Sequence, residues 1–204
     1  MHNRLTVFGK QICVSMLLLS LTLLFSPDSF GQKKMGTADS KMVERGKQLV
    51  LLGGCIDCHC PKVMTPMGPM PDTTRFLAGH PAHDPLPVIP QGVLGPDKWG
   101  AITTNDLTAW YGPWGVSFPK NLTPDVATGI GSWTEEMFIG ALRTGKDMGQ
   151  GRQILPPMPW MFIGQLPDAD LKAIFAYLKS LPPISNAVPD PIPPTDPRIT
   201  GAKQ

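Results

Sequence analysis

Cys55-Ile56-Asp57-Cys58-His59 decides how this chain is organised. It has the form Cys-x-x-Cys-His, the attachment signature of a c-type haem. The spacing has a physical basis. Two thiols three positions apart lie near each other on a tight turn entering a helix, and each can form a thioether with one vinyl group of a porphyrin. The imidazole that follows falls under the iron as its proximal ligand. The motif thus assigns Cys55 and Cys58 to covalent attachment and His59 to the metal. It also demands three things of the remaining sequence: an export signal, a second axial ligand and a helical wrapping.

Residues 1–31 read as a secretory signal peptide. Arg4 and Lys10 form a positive start, and Ile12 to Phe25 is an apolar core containing Leu17-Leu18-Leu19 and Leu23-Leu24. Pro27 breaks the core, and Ser29-Phe30-Gly31 offers small residues at the −3 and −1 positions of a cut before Gln32. The core is about 14 residues, short of the roughly 20 that span a bilayer, so a cleaved leader is expected rather than a retained anchor. Cys13 is read as an incidental leader residue. Haem c is attached outside the cytoplasm in bacteria, so leader and motif support each other and predict a periplasmic protein. Residues 32–40 are read as a flexible lead-in.

Composition narrows the class. The 204 residues are 42% hydrophobic and 17% charged, with 24 prolines and 21 glycines. So many helix breakers exclude a plain bundle and predict short helices joined by long ordered loops. The formal charge of +2 gives no basic footprint, which excludes nucleic acid as an expected partner. Removing residues 1–31 leaves 16 positive and 15 negative groups. Three of the four cysteines, Cys55, Cys58 and Cys60, form one cluster. No second pair exists for a disulfide framework or a four-cysteine zinc site. Cys60 is read as a spectator, because its side chain points away from the iron that its neighbour would bind.

The predicted domain, 41–185, opens with a helix from Lys41 to Leu52 with Ser40 as N-cap. Val43, Gly46, Leu49 and Val50 share one face. A glycine inside a helix costs about 1 kcal/mol against alanine, so Gly46 points to a close approach by another backbone or ring. Gly53-Gly54 ends this helix. From Pro61 to Pro124 the chain is proline-rich without long helical periodicity. Met64-Thr65-Pro66-Met67-Gly68-Pro69-Met70-Pro71 is read as a rigid extended piece, and one carbonyl from Gly68 to Pro71 is a candidate acceptor for the Nδ1–H of His59. Asp72 to Phe76 is read as a short helix. His80 and His83 are read as surface loop histidines, 81–96 as an irregular excursion, and about 81–118 as a loop insertion. Trp99, Trp110, Tyr111, Trp114 and Phe118 either line a haem crevice or cap the insertion's own small core.

The distal half supplies the second ligand. Ser132-Trp133-Thr134-Glu135 reads as a capping box opening a helix to about Arg143, ended by Thr144-Gly145. Trp133 is either a hydrogen-bond donor to a haem propionate or a core aromatic. In Leu155-Pro156-Pro157-Met158-Pro159-Trp160, prolines on both sides stiffen the loop, which a weak iron–thioether bond needs. Met158 is therefore the candidate distal ligand. Met161, Met148, Met137, the three methionines at 64, 67 and 70, and the two loop histidines are the competitors. The last helix is predicted from Asp168 to Ser180 with Leu171, Ile174, Phe175, Leu178 and Leu181 as its apolar stripe. Residues 186–204 are a proline-rich tail that either wraps the surface or moves freely.

These motifs carry a resemblance. Cys55 to His59, Leu77-Ala78-Gly79, Met158 in its proline loop and Ile174-Phe175-Ala176-Tyr177-Leu178 resemble the class I cytochrome c fold. The resemblance implies a mainly α cytochrome c fold in which first and last helices cross beside one haem, with Gly46 and Val50 meeting Ile174 and Tyr177. Asn121-Leu122-Thr123-Pro124-Asp125, Thr128-Gly129-Ile130-Gly131-Ser132-Trp133-Thr134, Ala141-Leu142-Arg143-Thr144-Gly145 and Met158-Pro159-Trp160 are similar to domains of the multihaem cytochrome c subunits of periplasmic alcohol and aldehyde dehydrogenases. One Cys-x-x-Cys-His and no internal repeat imply a single-haem unit.

The expectation is an electron carrier, not an enzyme: one covalent haem c, ligated by His59 and Met158. Its partners are redox proteins, a dehydrogenase as donor and an oxidase or another cytochrome as acceptor, met through a small transient contact. Peripheral membrane association is compatible with it. Three rivals stand beside this expectation: a stably bound subunit of a dehydrogenase or oxidase complex, a haem sensor or enzyme with an open iron position, and a dithiol oxidoreductase using Cys55 and Cys58.

Overall fold

The computed structural model describes residues 37–200. The predicted leader, the first part of the lead-in (32–36) and the last four residues of the tail lie outside the described residues. The described part contains six α-helices and two small antiparallel sheets. Helix α1 is Thr37–Leu52, α2 is Cys55–His59, α3 is Glu135–Thr144, α4 is Trp160–Ile163, α5 is Asp168–Ser180 and α6 is Pro197–Thr200. Among them no helix is long and apolar enough to cross a membrane.

The framework is the crossing of α1 and α5. Both present an apolar stripe, and Val50, Leu171, Ile174, Phe175 and Leu178 are buried in the main core. At the crossing, a Cβ on Gly46 would overlap the backbone carbonyl of Ala173 and crowd the Cβ of Tyr177. The glycine therefore sets how closely the two helices pack. On the rim of the crossing, Arg45 reaches Asp170 with both Nε (2.9 Å) and Nη2 (3.0 Å). This pair is solvent-exposed and contributes little by itself. Helix α1 starts at Thr37, four residues before the predicted start, so Ser40 lies inside it and is not the N-cap.

Helix α3 closes the core from a third side through Phe138, Ala141 and Leu142. Its N-cap is Thr134, whose hydroxyl accepts from the Met137 N–H at 3.2 Å. The capping box expected at Ser132 does not form. The Trp133 N–H is turned back onto the Ile130 carbonyl at 3.1 Å, which keeps Ser132 and Trp133 in the preceding turn.

The proline-rich middle contains short strands that its sequence does not announce. Strands β1 (Lys62–Thr65) and β2 (Gly68–Pro71) form a hairpin with Lys62 opposite Pro71 and Thr65 opposite Gly68. The short helix expected at Asp72 to Phe76 is a single 3-10 turn, Thr73–Arg75, capped by Asp72. After the irregular excursion, β3 (Ile102–Thr103), β4 (Trp110–Gly112) and β5 (Gly115–Ser117) make a three-stranded meander. A second, smaller core forms there from Ala109, Val116, Ile192 and Ile199. Two of these residues belong to the tail. Val116 and Ile192 exchange backbone hydrogen bonds at 2.8 and 2.9 Å, so the described part of the tail wraps the sheet.

Candidate functional site

Helix α2 leaves the left-handed Gly54 and carries Cys55, Cys58 and His59 in little more than one turn. So short a helix leaves its last carbonyls without helical donors. The Lys62 ammonium supplies the missing donors, bonding the carbonyls of Ile56 (2.8 Å), Asp57 (3.0 Å) and Cys60 (2.5 Å). His59 is buried, and its Nδ1 lies 2.7 Å from the backbone carbonyl of Lys120. A carbonyl only accepts, so Nδ1 carries the hydrogen and Nε2 keeps its lone pair. Burial pushes this imidazole down to about 4, which leaves it neutral at ordinary pH.

The acceptor is therefore outside Gly68 to Pro71, contrary to the expectation from sequence. Those residues are held in β2 against β1. The segment behind His59 is instead 119–122. It is fixed by bonds from the His80 N–H to the Pro119 carbonyl (3.1 Å) and from the Leu122 N–H to the Leu77 carbonyl (2.9 Å).

Cys55, Cys58, His59 and Met158 all line one cavity of about 390 Å³. This lies within the range of roughly 300–1,000 Å³ of cofactor sites. Its walls are mostly apolar and include Leu122, Ile130, Phe138, Leu142, Ile174 and Leu178. None of the competing ligand candidates joins them there. Met64, Met67, Met70, Met148 and Met161 are exposed, Met137 does not line the cavity, and His83 is exposed. His80 departs from the sequence expectation. It is only 3% exposed, with Nδ1 at 2.8 Å from the Thr108 hydroxyl and its ring 4.7 Å from that of Phe118. The meander closes over this histidine, which is why proline-rich flanks misrepresent it.

Met158 is delivered by a loop pinned at both ends. Helix α3 stops at Gly145, whose φ of 67° favours glycine and whose Cα lies under the Trp160 indole. The Ile154 N–H returns to the Gly145 carbonyl at 2.7 Å, and the Ser117 hydroxyl donates to the Pro156 carbonyl. The Pro156–Pro157 bond is cis.

The aromatic cluster divides between the two roles left open by sequence. Trp110 lines the cavity, Tyr111 packs on the second core, and Phe118 does both. Trp99 is 68% exposed and does neither. Trp133 lines the cavity, and its indole N–H has no hydrogen-bond partner among the described residues. Lys120 Nζ stands 5.0 Å from the Trp133 ring centroid and pairs with Asp147 at 3.0 Å. Sequence reasoning misses Lys120, Asp147 and Arg152. A lone lysine and a polar loop carry no pattern that marks them.

Two thiols, an imidazole lone pair and a thioether around an apolar cavity are the donor set a covalently held haem requires. They do not suit dithiol redox chemistry. Burial pushes the Cys55 thiol up to about 11 and raises Cys58 as well, whereas a reactive dithiol needs a stabilised thiolate. Cys60 is fully buried, with Sγ donating to the Asp72 carbonyl at 3.5 Å, away from the cavity.

No protein-family model matches the chain. It is similar to the cytochrome c subunit of alcohol dehydrogenase (quinone) from Gluconobacter oxydans, at 28% identity over 167 residues, 79% of this chain and 27% of that protein. It is likewise similar to the gluconate 2-dehydrogenase cytochrome c subunit of Pantoea cypripedii, at 27% over 171 residues, 83% of this chain and 30% of that protein. A shorter match, 39% identical over 66 residues, joins 32% of this chain to 13% of the fructose dehydrogenase cytochrome subunit of Gluconobacter japonicus. The chain thus spans between 13% and 30% of the length of these curated relatives. Over most of its length it resembles cytochrome c subunits of dehydrogenases.

Proposed function

We propose that this chain is a single-haem c-type cytochrome that passes one electron at a time between redox proteins outside the cytoplasm. The observation that carries the proposal is the convergence of Cys55, Cys58, His59 and Met158 on one apolar cavity. Haem, when bound, supplies a reversible one-electron ferric/ferrous couple. The residues of this chain hold and tune it. Cys55 and Cys58 would fix it covalently. His59 is oriented and made more basic by its bond to the Lys120 carbonyl. Met158, on its stiff loop, would be the second protein ligand to the iron, and a His/Met pair would raise the potential. The apolar walls would keep water from the metal. With His59 and Met158 both on the iron, no coordination site would be left for substrate, which fits electron transfer rather than catalysis.

The architecture that goes with this role is a cytochrome c fold, short helices around one haem, with a long Pro/Gly-rich insertion at about 81–118. Residues 1–31 act as a cleaved leader and the mature protein is periplasmic. Its electron donor is a dehydrogenase, and its acceptor an oxidase or another cytochrome. A stably bound subunit is the second reading, favoured because relatives are named as cytochrome subunits. The haemochrome spectrum of the purified protein tests the haem type. Copurification with a dehydrogenase at high salt separates subunit from free carrier, since a transient electrostatic encounter dissociates there.

A further inference from the structure

We infer that Lys120 and Arg152 form a carboxylate-binding end of the cavity, taking the propionates of the haem, with Asp147 as a positioning residue that holds Lys120 there. This rests on the haem reading of the same cavity and adds which residues receive its charged edge. Charged side chains on the lining are few: Asp57 beside the cysteines, and Lys120, Asp147 and Arg152 elsewhere. The last three are tied together. Lys120 Nζ lies 3.0 and 3.2 Å from the two Asp147 carboxylate oxygens, and the Asp147 N–H bonds the Arg152 carbonyl at 2.8 Å.

Arg152 differs from every other described arginine. Arg45, Arg75, Arg143 and Arg198 each pair with an aspartate. Arg152 has no carboxylate partner among the described residues, and its only side-chain bond is a long one, 3.4 Å, to the Gln153 carbonyl. Arg152 is an exposed residue at the edge of the cavity, and its guanidinium, with five donors and no carboxylate partner among the described residues, is suited to a planar carboxylate. Trp133 adds an unpartnered indole N–H beside Lys120. Asp147 neutralises part of the Lys120 charge and fixes where its ammonium stands, so the two cations are not equivalent. Arg152 is the stronger anchor and Lys120 the oriented one.

The test uses purified holoprotein carrying Arg152→Gln, Arg152→Lys, Lys120→Met or Asp147→Asn. Two quantities are read: the propionate bending band in resonance Raman spectra, and the midpoint potential. Arg152→Gln is expected to shift the band and lower the reduction equilibrium constant at least threefold, about 28 mV for one electron. The sign follows from charge: removing a cation there stabilises the ferric state, which carries the extra positive charge. Arg152→Lys restores the potential but not the band, because a point charge replaces the fork. Lys120→Met shifts both in the same sense as Arg152→Gln, and Asp147→Asn moves the potential the other way. An intact c-type haemochrome with an unmoved band in both Arg152→Gln and Lys120→Met overturns this inference alone. Absence of c-type haem overturns the cytochrome reading, and this one with it.

Discussion

The imidazole of His59 donates from Nδ1 to the backbone carbonyl of Lys120 across 2.7 Å. The two residues are 61 positions apart, and the bond fixes both the tautomer and the ring plane of the candidate proximal ligand. Because the acceptor belongs to the main chain, it does not depend on the lysine side chain. Lys120→Met is therefore expected to keep haem attachment and a protected His59 ring N–H proton in the NMR spectrum of the reduced protein. Loss of that proton signal would show that the side chain, through Asp147, holds the segment in place.

The α1–α5 crossing depends on a missing side chain. Gly46→Leu drives a branched group into the Ala173 carbonyl and is expected to destabilise the holoprotein by about 1–3 kcal/mol, the usual cost of overpacking a tight core. Leu52, 83% exposed on the same helix, is the control. Leu52→Ala should stay within about 0.5 kcal/mol of wild type in denaturant titrations.

Met158 stands alone among the described methionines on the cavity wall. Met158→Ala is expected to abolish the near-infrared sulfur-to-iron band, lower the potential and open the ferrous iron to carbon monoxide. Met161→Ala, on an exposed neighbour, should leave the band unchanged. Survival of the band in Met158→Ala would move the distal ligand elsewhere.

Asp72 gives a pH signature. Bonds from Thr74 and Arg75 hold its carboxyl at about 2, below the ~3.9 of an unfolded chain. A depressed folded value means the stabilisation is fully present above the unfolded value and disappears as pH falls from about 4 through 2. Asp72→Ala is thus expected to cost about 1 kcal/mol near neutrality, as loss of an N-cap does. Thermal unfolding of the two proteins should converge as the pH approaches 2.

The parts of this protein that sequence makes legible are those encoded by short-range pattern. Spacing picks out Cys55 to His59 as candidates and flanking prolines pick out Met158, and the fold brings Cys55, Cys58, His59 and Met158 to one cavity; α5 is announced by an apolar stripe that runs the predicted length. Gly46 is legible because a glycine in a helix demands a reason. What sequence hides is long-range and made by the backbone. The Lys120 carbonyl carries no side-chain signature. His80 looks exposed among prolines, yet the meander at 102–117 buries it, and strands of two or three residues are too short to show alternation. Thr134 caps α3 in place of the expected Ser132 because a turn at Ile130 claims the intervening residues. The carboxylate end is invisible for the same reason: Lys120 and Arg152 come to one cavity only once the loops are folded.

The haemochrome spectrum of the purified chain in alkaline pyridine, after acid–acetone extraction, tests the central claim most directly. The account predicts that colour stays with the polypeptide and that the spectrum is that of a c-type haem with both vinyl groups saturated, at one haem per chain. A b-type spectrum, colour lost to the solvent, or a chain without haem would contradict it.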